Sequence, residues 1–283
     1  MSLSKKLLIC FEGNIGSGKS SIISSFKRYP EICTYHESID EWKNYYEDGL
    51  LEYVFGSPGK YGCCYYNGLY LCLFEDKISI MDCEYQVTNV RRKLIFMDGC
   101  GLTVKRVFIP FFLNKGYIDT NQNSLVLNID AKINGDALLP DMVIYVKTNP
   151  EKAFERIQTR NREEEKNITI EDIKGLDAAY EKYIDDLQDA YHIPVFEIDG
   201  NKSLKSIQSD VIKLKPQMEE LLLKKKIEKI EEGEKKSLVN EEGIILSEVI
   251  QNKAYVWNYM PFLKLIKACL LLFTNRNTDI NFP

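Results

Sequence analysis

One octapeptide, Gly13-Asn14-Ile15-Gly16-Ser17-Gly18-Lys19-Ser20, constrains this chain more than any other feature. It matches the pattern G-x-x-x-x-G-K-[ST], and its flanks have the required order. Residues 6–11 (KLLICF) are an apolar run of strand length that stops at Glu12-Gly13, and residues 20–26 read as a helix. Glycines let such a loop curl without Cβ clashes, so successive backbone N–H groups face inward at phosphate oxygens. The N-terminus of the following helix adds partial positive charge. Lys19 has the reach to bridge β- and γ-phosphates, and Ser20 offers a hydroxyl to Mg²⁺. The alternative, a chance Gly/Ser turn, leaves the two correct flanks unexplained. The loop is read as a nucleotide site.

Further apolar runs repeat the strand-then-helix order. Strands are expected at 32–36, 94–97, 142–146 and 194–198, and helices at 103–114, 151–159 and 170–190. A short helix is expected at 40–46, with Asp40 as cap and Trp42 as apolar anchor. Residues 61–80 mix strand propensity with helical spacing and are read as helix, being too long for one strand. The alternation implies an α/β fold, a doubly wound five-stranded parallel sheet with helices on both faces and right-handed crossovers.

This unit is assigned to residues 1–215. The remainder, 216–283, has a different texture. Lys and Glu blocks over 213–242 surround Leu221, Leu222, Ile227 and Ile230, which fits a solvated helix or a partly disordered arm. Residues 254–273 are apolar but interrupted by Asn258, Pro261, Lys264 and Lys267, against a transmembrane span. A docked amphipathic helix is the leading reading there, and a membrane-surface or partner-binding element the alternative.

Composition narrows the function. With 283 residues, 45% hydrophobic and 28% charged, the chain is neither collagen-like nor wholly disordered. A net charge of -5 supplies no global field for nucleic acid, and none is expected as a partner. The eight cysteines contain no CxxC pair and the only histidines are His36 and His192, so a structural zinc site is not expected. The opening MSLSKKLLICFEG lacks the features of a signal or transit peptide, and a cytoplasmic protein with reduced thiols is expected.

Two carboxylates stand where the expected strands end. Glu37 follows the second strand, at the edge where open α/β sheets bind ligands, and could take a proton from an attacking hydroxyl. A surface cap or local salt bridge is the other reading. Asp98 follows LIFM and suits Mg²⁺ or its water shell, with a helix N-cap as the other reading. Arg156, Arg160 and Arg162, followed by Glu163, Glu164 and Glu165, are either a lid closing over phosphate or a charged, solvated helix end.

Taken together, these residues resemble the deoxynucleoside kinases, the group containing deoxycytidine, deoxyguanosine and insect-type multisubstrate kinases. The stretch from Phe11 to Ser20 is similar to that family's nucleotide loop, including its Glu-Gly-Asn-Ile start. Glu37 and Trp42 match its E-P-V-x-x-W pattern, with Ser38 replacing Pro. Arg156-Ile157-Gln158-Thr159-Arg160-Asn161-Arg162-Glu163-Glu164-Glu165 resembles the R-I-x-x-R-G-R-x-x-E lid. Tyr145 through Pro150-Glu151 fits the family's strand-to-helix junction. The resemblance covers about residues 5–215.

It implies a P-loop kinase fold with an Arg-rich lid, ATP and Mg²⁺ as cofactors, and a deoxynucleoside as substrate. It further implies strand order 2-3-1-4-5 and a homodimer formed by helices. By the same resemblance Glu37 is the base for the 5′-hydroxyl and the lid arginines contact phosphate. Glu165 then binds the sugar 3′-hydroxyl, and Trp42, Phe55, Tyr65, Tyr66 and Asn67 line the nucleoside site.

Three departures matter. Where the family carries Glu/Asp-Arg-Ser, this chain reads Asp98-Gly99-Cys100, without the Arg, and Lys105 or Arg106 is the candidate replacement. Tyr66 stands in place of a base-binding Gln, with Asn67 one position on. Phe55 replaces a sugar-binding Tyr. The leading reading is ATP-dependent phosphorylation of a deoxynucleoside 5′-hydroxyl. The alternatives are a catalytically weakened nucleotide-binding homologue and a nucleoside monophosphate kinase. The latter would need a phosphate-binding Arg near the second strand, and residues 36–45 contain none.

Overall fold

A computed structural model describes residues 6–37, 93–121 and 139–225, together with positions 123, 124, 127, 128 and 227. The expected helices at 40–46 and 61–80 and the segment 254–273 lie outside these residues.

Five parallel strands form one sheet: β1 (Leu7–Glu12), β2 (Ile32–Tyr35), β3 (Leu94–Asp98), β4 (Met142–Lys147) and β5 (Val195–Asp199). Their order is β2-β3-β1-β4-β5, as the resemblance implies. Central β1 is buried at every residue and pairs with β3 on one side and β4 on the other. A strand covered on both faces has no solvent side, so its sequence reads as one apolar run. Successive side chains still alternate. Leu8 and Cys10 join one core with Met97, Tyr145, Tyr180 and Tyr183, whereas Leu7, Ile9 and Phe11 join a second with Ile23, Phe26 and Phe96.

Helices among the described residues include α1 (Lys19–Ser25), α2 (a continuous stretch over 101–114), α3 (Pro150–Arg160), α4 (Ile170–Asp189) and α5 (Leu204–Lys213). Within α2, Val104–Phe108 is π-helical. Pro110 follows two residues on, and its ring nitrogen has no hydrogen for the carbonyl one turn back, which accounts for an irregular turn upstream. Helix α4 begins with a full capping box: Thr169 accepts from the Asp172 N–H, and Asp172 accepts from the Thr169 N–H.

The strands extend one residue beyond the expected ends at Glu12, Asp98, Lys147 and Asp199. Each of these polar residues keeps a sheet partner: Phe11↔Asp98, Glu12↔Tyr145 and Lys147↔Asp199. β2 instead stops at Tyr35, one residue short of His36.

Residues 215–225 are helical. They bury Met218 and Leu222 in the second core. At their end the Lys225 ammonium reaches the Asp141 carboxylate, which also accepts the Leu8 N–H at 2.7 Å. The chain is thus packed against the sheet past residue 215. Among the described residues no helix is long and apolar enough to cross a membrane.

Candidate active site

The sheet brings the carboxyl ends of β1, β2 and β3 together, and everything at the site hangs from them. The loop after β1 is held by backbone and buried groups. Ser17 N–H donates to the Asn14 carbonyl at 3.1 Å, and the Asn14 side chain donates to the Ile173 carbonyl of α4 at 2.8 Å. Its Oδ1 accepts from the Ile15 N–H at 2.8 Å, and Ile15 packs against the cores. Gly16 sits at φ 80°, where a Cβ would collide with the Ala153 carbonyl of α3. Only glycine satisfies both demands. Gly13 and Gly18 also have positive φ, and Gly18 is the N-cap of α1. The Lys19 ammonium lies across the loop, donating to the carbonyls of Gly13 at 2.7 Å and Asn14 at 3.1 Å.

Arg156 is placed behind this loop. Its guanidinium donates to the carbonyls of Ser17 at 3.0 Å and Gly200 at 2.9 Å, bracing the loop against the end of β5. Arg160 and Arg162 lie further out. Arg160 makes a two-pronged bond to Glu165 at 2.7 and 3.0 Å, and Arg162 approaches the same carboxylate at 3.5 Å. The lid arginines and Glu165 are therefore brought together, on the segment between α3 and α4.

Asp98 is buried. Its Oδ2 accepts the Ser20 hydroxyl at 2.5 Å, while Oδ1 has no hydrogen-bond partner among the described residues. A carboxylate oxygen left this way beside a loop hydroxyl fits a divalent cation, which commonly takes one or two protein oxygens and completes its shell with phosphate and water. No cluster of three or more His, Cys, Asp or Glu that could hold a metal exists among the described residues.

Glu37 lies two residues past β2. A Cβ on Gly99 would sit 3.5 Å from its Oε1, so the Glu37 carboxylate faces the turn that carries Asp98. Gly99 has φ 63°, a conformation that disfavours any side chain with a Cβ. Arg106 donates to the Tyr191 hydroxyl at 2.8 Å and lies over its ring, beyond the far end of α4. Lys105 is half-buried on the π-helical turn. His36, bonded to the Ser24 hydroxyl at 3.2 Å, is held below its ordinary value by burial, against the pull of Asp98.

Two residues that sequence patterns did not single out complete the edge. Glu12, fully buried, accepts both the Cys100 N–H and the Thr103 hydroxyl at 2.7 Å. Tyr180 of α4 is buried nearby. Burial keeps its phenol protonated far above the ordinary range, with the charges of Glu12, Glu37 and Asp98 acting in the same sense. A signal for Glu12 existed: it is the single charged residue closing an apolar run directly before the first loop glycine. Trp42, Phe55, Tyr65, Tyr66 and Asn67 lie outside the described residues.

The family model for deoxynucleoside kinase matches residues 9–223. The chain belongs to the deoxynucleoside kinase family. It is 26% identical over 203 residues to deoxyadenosine kinase of Dictyostelium discoideum, covering 69% of this chain and 72% of that one. It is 25% identical over 188 residues to mitochondrial thymidine kinase 2 of Macaca fascicularis, covering 64% of this chain and 65% of the relative. Deoxyadenosine kinase from M. mycoides, solved with bound dATP, superimposes with a TM-score of 0.59 at 19% identity, covering 73% of this chain and 98% of that one. That likeness is one of fold. As a member of this family the chain is a kinase, a phosphotransferase acting on deoxynucleosides.

Proposed function

We propose that this kinase transfers the γ-phosphoryl group of ATP to the 5′-hydroxyl of a deoxynucleoside, with Glu37 as general base. The observation that carries the reading is the position of Glu37, whose carboxylate faces the Asp98–Gly99 turn at the edge where the cradle opens. A monophosphate acceptor is already ionised and needs no base there.

The backbone N–H groups of 13–20 and the N-terminus of α1 hold the phosphates, and Lys19 swings from its carbonyls onto the β- and γ-phosphates. Ser20 and Asp98 would hold Mg²⁺, which when bound neutralises charge on those phosphates. Glu37 orients the 5′-hydroxyl and takes its proton as the oxygen bonds to the γ-phosphorus and the bond to the bridging oxygen breaks. The products are ADP and a deoxynucleoside monophosphate. Arg160 and Arg162 turn from Glu165 to the transferring group, and Glu165 then serves the sugar 3′-hydroxyl. Trp42, Phe55, Tyr65, Tyr66 and Asn67 are assigned to the nucleoside. Arg156 acts through the loop it braces. A homodimer belongs to this reading on resemblance, and sedimentation velocity tests it. A reducing compartment such as the cytoplasm belongs to this reading, in which the buried cysteines Cys10, Cys33 and Cys100 are kept as thiols. We place the end of the catalytic domain at about 225, because Met218 and Leu222 are part of its core.

The test is ADP release with a panel of deoxynucleosides and monophosphates, for the parent and Glu37→Gln. The variant is expected to keep its ATP affinity and to lose turnover by about 10²–10⁴-fold. Full turnover in the variant, or a preference for monophosphates in the parent, overturns the reading.

A further inference from the structure

Among the described residues, Glu12 is the most deeply buried charged group that the proposed chemistry leaves without a task. It is 0% exposed; Asp98 is buried at the end of the neighbouring strand, and Glu37 faces the turn that follows Asp98. Like charges gathered in a low-dielectric site oppose one another, and burying a carboxylate carries a desolvation penalty that hydrogen bonds only partly offset. Its bonds show what that arrangement achieves.

Both bonds go to the segment that follows Asp98. Cys100 is the N-cap of α2, yet its side chain makes no cap, and its N–H points to Glu12 Oε1 instead. The same oxygen takes the Thr103 hydroxyl from the first turn of α2. One residue earlier, the Gly99 N–H donates to the Phe11 carbonyl at 2.9 Å. Asp98 in turn accepts from Ser20, at the far end of the loop that Glu12 introduces. The contacts close a ring: from Glu12 along the loop to Ser20, across to Asp98, through Gly99 and Cys100, and back to Glu12. Hydrogen bonds to a carboxylate are charge-assisted, and here one oxygen holds both donors.

Resting on the reading above, we propose that Glu12 is a positioning residue that sets Asp98 for the divalent cation by tying the Asp98–Thr103 turn to the mouth of the phosphate loop. It touches neither nucleotide nor cation. Its task is to keep Asp98 at one distance from Ser20 when the cation enters between them and the phosphates.

The experiment is calorimetric titration of the full-length chain with ATP, with and without Mg²⁺, and needs no nucleoside. In the parent, Mg²⁺ should tighten binding. Glu12→Ala should bind Mg²⁺-free ATP within about threefold of the parent but lose about tenfold or more of the Mg²⁺-dependent gain, the usual scale for a residue supporting a metal ligand. Glu12→Gln, whose amide oxygen can accept both donors, should keep that gain within about threefold. Thr103→Val, lacking one of the two bonds, should fall between, and it decides the matter alone if Glu12→Ala does not fold. An undiminished Mg²⁺-dependent gain in Glu12→Ala or Thr103→Val overturns the proposal, as does a Glu12→Gln protein as defective as Glu12→Ala. A parent that gains nothing from Mg²⁺ overturns the cation reading itself, whereas the other failures leave it standing.

Discussion

The two regions that would grip phosphate are built on opposite terms. The cradle is made of backbone and buried side chains: Asn14 and Ser17 are almost fully covered, and their bonds run to α4 and within the loop. The lid is made of ion pairs between side chains: Lys166 on Glu163, both exposed, and Arg160 on Glu165, whose carboxylate is only 11% exposed. The exposed pair is worth about 0–1 kcal/mol. A lid arginine can exchange Glu165 for phosphate, one anion for another, without disturbing a backbone bond. The cradle cannot trade its bonds in that way without unfolding. Affinity is thus placed in a part whose shape precedes the ligand, and closure in a part whose contacts are replaceable.

That contrast is open to attack, beginning where the effect should be largest. Lys19→Ala removes the one cation that lies across the cradle, and turnover should fall by about 10²–10³-fold, the scale for losing a charge-stabilising donor. Titration calorimetry should show weaker ATP binding as well, and unchanged affinity together with unchanged turnover would make the loop a mere turn. Arg160→Ala should cost about tenfold in kcat/KM, near one charge-assisted hydrogen bond, while Tm stays within about 4 °C. A large thermal loss would show that the lid is as structural as the cradle.

Gly99→Arg restores the family side chain at φ 63°. Strain of about 1–2 kcal/mol is expected from that backbone conformation, seen as a lower urea midpoint, without a gain in turnover. A faster enzyme would mean that the turn resets to accept arginine.

The smallest effect lies in the first turn of α4. Asp172 is pushed up by burial, but hydrogen bonds from Lys115 and Thr169 outweigh this and hold its carboxyl below the usual range. A depressed carboxylate stabilises the fold above its unfolded value, and that contribution disappears as pH falls through the folded one. Asp172→Asn should therefore cost about 0.5–1 kcal/mol at pH 7, and the gap to the parent should close below about pH 4. Urea unfolding at several pH values measures it.

The fold was legible because a sheet buried on both faces leaves continuous apolar runs, and the cradle because its glycines answer to backbone geometry. The polar strand ends were not legible from apolar periodicity. Glu12, Asp98, Lys147 and Asp199 break the apolar pattern while the ladder carries on through them. Asp98 was found because it follows a strand. Glu12, at the equivalent position, was hidden inside a motif that its neighbours explained. Its partners Cys100 and Thr103 are 88 and 91 residues away, a separation that no local pattern spans. Arg156 shows the reverse. Its place in a lid-like run concealed that it reaches back to Ser17 and Gly200.

The sheet order has a consequence for the newborn chain. The strand that leads into the cradle emerges first, yet its two neighbours are Leu94–Asp98 and Met142–Lys147. At about 5–20 residues per second on the ribosome, roughly 7–30 seconds separate β1 from the completion of both its edges. Through that interval an apolar strand with both edges open is a template for pairing with other chains. Nucleotide cannot shorten the wait, because its site does not exist until β3 and β4 arrive. The vulnerable period of this protein is set by ribosome speed and by whatever shelters β1 meanwhile.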